Sequence, residues 1–137
     1  MESGGIKELS RYRFEKTLFN IALARTLYQS QDYGVALNRA YYSAFDAMRA
    51  VNALDGFDSS KHSGVISHFN QTYVKTGCFA PSASAVIRKA SMLREKSDYE
   101  DFYMPEEEDA VDTIAKVELF LQDVKAYLTK RGIIESK

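Results

Sequence analysis

Apolar residues recur along this chain in steps of three and four, and the clearest run is Ala110, Ile114, Val117, Leu121, Val124 and Leu128. Those spacings place all six on one face of an α-helix. The helix is predicted to open at Pro105, with Glu106, Glu107, Glu108 and Asp109 complementing the positive end of its dipole. A second run, Leu37, Tyr41, Ala44, Met48 and Val51, follows the same rhythm after Asp32, a residue suited to an N-cap, and stops at Gly56. Tyr42 and Phe45 form a stripe beside it, so this helix is apolar over more than one face and belongs at the centre of the fold. Aromatic residues at helical spacing ordinarily fill a core, the simplest account of Tyr41, Tyr42 and Phe45.

Three further helices follow from weaker versions of the pattern. The first spans about Ile6 to Ser30, with Phe14, Leu18, Ile21 and Tyr28 near one stripe. The third runs from about Ser60 to Thr76 and is closed by Gly77, with His62, Ile66, Phe69 and Tyr73 inward. The fourth begins near Pro81, with Ala83, Val86, Ala90 and Leu93 inward, and continues into the segment around Arg94. Proline occurs only at positions 81 and 105, connections are short, and there is no repeat or low-complexity stretch. The expectation is an all-α, up-and-down bundle of about five helices in one domain spanning residues 1–137, with loose ends at Met1–Gly5 and Gly132–Lys137.

Composition narrows the chemistry. With 45% hydrophobic and 27% charged residues, a chain of 137 residues is an ordinary globular sequence able to bury a sizeable core. A formal net charge of -1 gives no overall attraction to nucleic acid, so any contact with RNA has to be local. Cys78 is the only cysteine, which excludes an intrachain disulfide and a cysteine-based zinc framework and points to a reducing compartment. No apolar run approaches the length of a membrane span, and the expected location is the cytoplasm. His62 and His68 lie six residues apart, on different faces of a helix, and no Glu-x-x-His pair occurs. No metal site or cofactor is therefore expected. No glycine-rich phosphate loop or nucleophile elbow is present either.

Two segments carry a more specific signal: Asn38-Arg-Ala-Tyr-Tyr-Ser-Ala-Phe45 and Leu93-Arg-Glu-Lys-Ser-Asp-Tyr-Glu-Asp-Phe102. Together they resemble the HEPN family over roughly residues 9–128, and Lys61-His-Ser-Gly-Val-Ile66 with Phe69 and Val74-Lys-Thr-Gly77 adds to the likeness. In catalytically active HEPN ribonucleases an arginine at the place of Arg94 is followed a turn or more later by a histidine. Here Tyr99 stands at that place. The resemblance implies a two-fold dimer in which the arginine holds phosphate charge and the histidine assists metal-independent RNA cleavage, roles that suit guanidinium and imidazole. A phenol, with an ordinary pKa of about 10, is a poor base at neutral pH but can stack on a nucleobase or donate a proton.

Small HEPN proteins of this kind are commonly paired with a minimal nucleotidyltransferase in a toxin-antitoxin or stress-response system. In related pairs a tyrosine just after the arginine motif is adenylylated, and Tyr99 and Tyr103 fall near that place. The candidate site is thus Arg94 and Tyr99 as reacting groups, with Asp98, Tyr103 and His62 as binding residues. Its possible ligands are RNA, nucleotide and the partner protein. Each has a plainer alternative: Arg94 and Asp98 as an ion pair one turn apart, and His62 as a neutral core imidazole rather than a group facing Arg94. Three functions are open on this reading. They are a non-catalytic subunit binding the nucleotidyltransferase, a metal-independent endoribonuclease with an altered Arg/Tyr site, and a helical dimerisation module without nucleotide chemistry. The run from Asp98 to Asp112, rich in acidic residues, offers either a solvated helix start or a surface for a basic partner.

Overall fold

The computed structural model describes residues 3–135, which contain five α-helices and no strand. They are α1 (Ser3–Gln29), α2 (Tyr33–Asn52), α3 (His62–Phe69), α4 (Ser82–Tyr99) and α5 (Glu107–Lys130). A turn of 3-10 helix extends α2 over Ala53–Asp55 and ends at Gly56 in the left-handed conformation; a π-helical turn extends α3 over Asn70–Val74. Gly77, also left-handed with φ 87°, closes that extension through its N–H to the carbonyl of Val74.

α2 is the central element and packs against each of the other four helices. Its predicted stripe is fully internal: Leu37, Tyr41, Ala44, Met48 and Val51 are all buried, as are all six stripe residues of α5. Between those two helices the contact is apolar. Against α1 the opposite holds. Ser10 Oγ donates to the carbonyl of Ala50 at 2.7 Å, Thr17 and Ser43 exchange hydroxyl-to-carbonyl bonds, and Asn20 Nδ2 donates to Asp46 Oδ2 at 3.1 Å. Arg13 reaches both the carbonyl of Arg49 and the carboxylate of Asp58, each at 3.1 Å. Buried polar groups are tolerable here because they are paired across the seam.

That seam corrects the reading of α1. Its buried face runs through Ser10, Arg13, Phe14, Thr17, Asn20, Ile21 and Ala24, while Leu18 is 46% exposed. The inner face of α4 holds Ala83, Ala90 and Leu93 as expected and differs at one position, with Ile87 rather than Val86 fully buried, and in α3 Val65 takes the inward place beside Phe69 and Tyr73. Asp32 does occupy the N-cap position of α2, but its side chain makes no cap bond. The ends are more ordered than expected. Ser3–Gly5 are helical, and Ile133 is buried with its carbonyl accepting from Arg11 Nε at 3.2 Å. Of those predicted loose ends, Met1, Glu2, Ser136 and Lys137 lie outside the described residues.

Two devices fix the start of α2 against the ends of α4 and α5. Glu107, in the first turn of α5, accepts hydrogen bonds from Tyr28 and Tyr33 at 3.1 and 3.3 Å, tying the α1–α2 corner to α5. Gly34 allows the end of α4 to come close: a Cβ there would stand 2.6 Å from Ser97 Oγ and 3.7 Å from Pro105 Cγ. That close approach brings Asp98 within reach of Asn38, the first residue of the site.

Candidate functional site

Arg94 follows Leu93, which is buried against Leu37 and Ala110, so its side chain leaves the helix beside the core. The guanidinium lies over two rings of α2, with Cζ 4.7 Å from the centroid of Tyr41 and 5.5 Å from that of Tyr42. Cation–π attraction holds it there. Nη1 reaches Asp98 Oδ2 at 3.5 Å, one turn along α4, and the same oxygen accepts from Asn38 Nδ2 at 3.1 Å. The predicted ion pair is therefore present, though long. The Arg94 side chain is only 12% exposed, and its Nε is buried without a hydrogen-bond partner.

His62 opens α3 on the other side of Tyr41. Its ring stacks on Phe45 at 4.2 Å between centroids, and Nδ1 lies 2.9 Å from the Tyr41 hydroxyl oxygen. Burial, followed by the charges of Arg94 and Arg49, lowers the pKa of His62, so the ring is neutral at physiological pH. Burial likewise pushes the Tyr41 hydroxyl up to about 12, and it stays protonated. His62 is half-buried at the edge of the core, and it shares one tyrosine with Arg94. His68 is engaged elsewhere, with Nε2 2.8 Å from Asp55 Oδ2 and its ring stacked on Phe57 at 3.8 Å.

Tyr99 is not brought to Arg94 within the chain. α4 stays regular through Tyr99, five residues on and about 140° further round an ideal helix. Tyr99 is 75% exposed, and Phe102 and Met104 just beyond it are 100% and 81% exposed. Phe102 also holds φ at 66°, a left-handed conformation uncommon for a bulky residue. Tyr103 is partly buried, with Lys96 Nζ 5.7 Å from its ring. The basic residues before this segment point to different neighbours, since Lys89 pairs with Asp112, Lys96 faces Tyr103, and Arg94 is tucked against α2.

A polar chain carries the site onward. Arg39 donates to Asn38 Oδ1 through Nε and Nη2, at 3.0 and 2.6 Å, and to Asn20 Oδ1 through Nη1 at 3.2 Å, while Asn20 holds Asp46. It ends in an open groove of about 570 Å³ between α1, α2 and the start of α3. Lys16, Arg39 and Arg49 line it with Glu15, Asp46 and His62, and Tyr12 and Phe19 stand exposed along its α1 edge. Cations for phosphate and aromatic faces for bases are the two elements that single-stranded nucleic acid requires. Sequence reasoning missed this groove. The available signal was Tyr12 and Phe19, two aromatics seven residues apart on a helix and outside its predicted inner stripe.

Comparison with known proteins fits this geometry. Residues 10–127 match the family model described as HEPN domain. A Methanocaldococcus jannaschii protein named "Putative toxin" is 28% identical over 123 residues, covering 90% of this chain and 84% of its own. A second protein of that organism with the same kind of name is 32% identical over 109 residues, covering 80% and 81%. A Thermotoga maritima UPF0332 protein is 33% identical over 102 residues, covering 74% and 77%. The all-α bundle, the aromatic interior of α2 and the arginine of α4 that lies on it therefore have one explanation: the chain belongs to the HEPN family.

Proposed function

We propose that this protein is the toxin-like HEPN half of a two-component system. Its exposed segment from Tyr99 to Met104 receives a nucleotidyltransferase partner, and its Arg94 cluster and adjoining groove take RNA or nucleotide. The observation that carries the reading is the contrast along α4, where Arg94 is locked over Tyr41 and Tyr42 while Tyr99, Phe102 and Met104 stand free of the bundle. Exposed aromatic and thioether side chains beside Glu100, Asp101 and Glu106 offer apolar anchors within an acidic rim. A partner with a basic surface fits that rim, and Tyr99 presents its hydroxyl to solvent as an acceptor for a nucleotidyl group. The same exposed rings supply apolar area for a two-fold interface in the free protein, and a dimer in sedimentation is the expected state.

The test is to mix the protein with a minimal nucleotidyltransferase found by inspecting the neighbouring genes, ATP and magnesium, and to map modification by mass spectrometry. Modification of Tyr99, lost in Tyr99→Phe and accompanied by relief of growth arrest, is the expected result. No complex and no modification would overturn the reading.

A second reading, a metal-independent endoribonuclease, is favoured by one observation: His62 is neutral and shares Tyr41 with Arg94. With Nδ1–H donating to the Tyr41 oxygen, Nε2 keeps its lone pair and can accept the proton of a ribose 2'-hydroxyl, while Arg94 holds the phosphate. On this reading His62 replaces the missing motif histidine in function. Chelator-resistant RNA cleavage lost in both Arg94→Ala and His62→Gln, with melting temperature kept, is the expected outcome. Unchanged cleavage in His62→Gln would remove it.

A further inference from the structure

We propose that the open groove between α3 and α4 is the seat of a two-fold interface between two copies of this chain, with α4 lying antiparallel to α4 of the second copy. The inference rests on the dimer expected under the proposed function, and it assigns that dimer a surface and a register. The groove has a volume of about 750 Å³ and shares no lining residue with the groove beside His62. Ile66, half-buried, and Ile87, buried, give it an apolar floor.

One wall of the groove is a continuous stripe of α4. Ser84, Arg88, Ser91, Met92 and Glu95 line it, and their spacing puts them on one face of the helix. Tyr99, one turn after Glu95, continues the same face. Met92 is 48% exposed, a pliant apolar side chain left half in solvent. Arg88 and Glu95 are exposed, and neither takes part in an ion pair among the described residues.

A two-fold interface sets one residue against a second and the second against the first, so the surface has to complement itself. This stripe does. Arg88 and Glu95 lie equally far on either side of the step from Ser91 to Met92. A two-fold axis through that step brings Arg88 opposite Glu95 of the second copy and Glu95 opposite its Arg88. Met92 then meets the second copy at the axis, where the small side chain of Ser91 leaves room for it. The same register carries Tyr99 to Ser84 of the second copy, at the end of the groove where Ser84 Oγ donates to Asn70 Oδ1 at 2.6 Å. Lys75, beyond Asn70 on α3's extension, is the remaining charge of the lining and faces the acids that follow Tyr99, Glu100 and Asp101. A cation and an anion placed symmetrically about an apolar residue answer to a second copy, not to a ligand of one charge. Because Tyr99 lies at the edge of the pairing, the dimer, on the proposed function, holds back the tyrosine that a partner modifies.

The experiment is sedimentation equilibrium of the full chain and its charge variants, with helical circular dichroism as the check on folding. Arg88→Glu and Glu95→Arg each set like charges opposite one another twice across the axis and should weaken the dimer by about tenfold or more. The double variant Arg88→Glu/Glu95→Arg restores both pairs with their signs exchanged and should recover the wild-type dissociation constant. Recovery in the double variant is specific to this register, because only there does each residue meet the other across the axis. Met92→Ser should weaken the dimer with the charges intact. A wild type that stays monomeric would overturn the proposal together with the expected dimer. A dimer equally tight in both single variants, or a double variant as weak as either single one, would overturn this surface alone and leave the modification test of Tyr99 untouched.

Discussion

The two halves of the segment from Leu93 to Met104 are built in opposite ways. Leu93 and Arg94 are fixed by the bundle itself, one buried against Leu37, the other stacked on Tyr41 and tethered to Asp98. Tyr99, Phe102 and Met104 gain almost nothing from it. The first half is organised before any ligand arrives, whereas the second presents side chains whose burial has to come from another molecule. On the proposed function, this contrast separates a group that would hold phosphate from side chains that would engage a partner by ten residues or fewer.

The largest effect that can break this comparison is on stability. Leu93→Ala empties a buried position and should cost about 3 kcal/mol in denaturant unfolding, releasing Arg94 from its place. A loss under about 1 kcal/mol would show that the inner half is less fixed than its burial implies. Next is Arg94→Ala, which removes two ring contacts and a long ion pair. It should cost about 1–2 kcal/mol and abolish binding of an RNA oligonucleotide. Arg94→Lys should recover only part of that binding, because an ammonium keeps the charge but not the planar stack.

The pH dependence of the inner half follows from His62. Its pKa in the folded protein is lowered by burial and then by Arg94 and Arg49, so the unfolded chain takes up the proton first as the solution is acidified. The stability contributed by the neutral ring is present above the unfolded value of about 6.5 and is lost as pH falls toward the folded value. Thermal melts between pH 7.5 and 5.5 should therefore decline more steeply for the wild type than for His62→Asn. Parallel curves would mean that His62 is not the group responsible.

The smallest stability effects belong to the outer half. Phe102→Ala and Met104→Ala should each change unfolding free energy by less than about 0.5 kcal/mol. Affinity for the proposed nucleotidyltransferase partner should nevertheless fall by about tenfold or more, as expected for anchor residues. Equal losses of stability and affinity would place these residues in the fold rather than in an interface.

How much of this was legible in the sequence varied with the kind of contact. α2 and α5 were readable because their shared interface is apolar, and steps of three and four record it directly. α1 was readable as a helix, with Phe14 and Ile21 inward, but not in the rest of its buried face, since it meets α2 through Ser10, Arg13, Thr17 and Asn20 and a polar buried face leaves no hydrophobic rhythm; Leu18 was misplaced for that reason. Arg94 could be found through its motif. Its seat on Tyr41 and Tyr42 and its link through Asp98 to Asn38 depend on helices distant in sequence, and only the fold reveals them. The groove beside His62 is of the same kind, assembled from α1, α2 and α3 with no local pattern to announce it.

The left-handed backbone at Phe102 has a consequence for anyone engineering this chain. A bulky L-residue with φ at 66° is strained, by about 1–2 kcal/mol, and a ring fully in solvent provides no packing in compensation. Phe102→Gly should relax the turn and raise the melting temperature of the isolated protein, even after the greater freedom that glycine gives the unfolded chain. Selection for thermostability alone would thus discard this aromatic residue early, and on the proposed function the resulting hardened variant would be the one least able to recognise a partner.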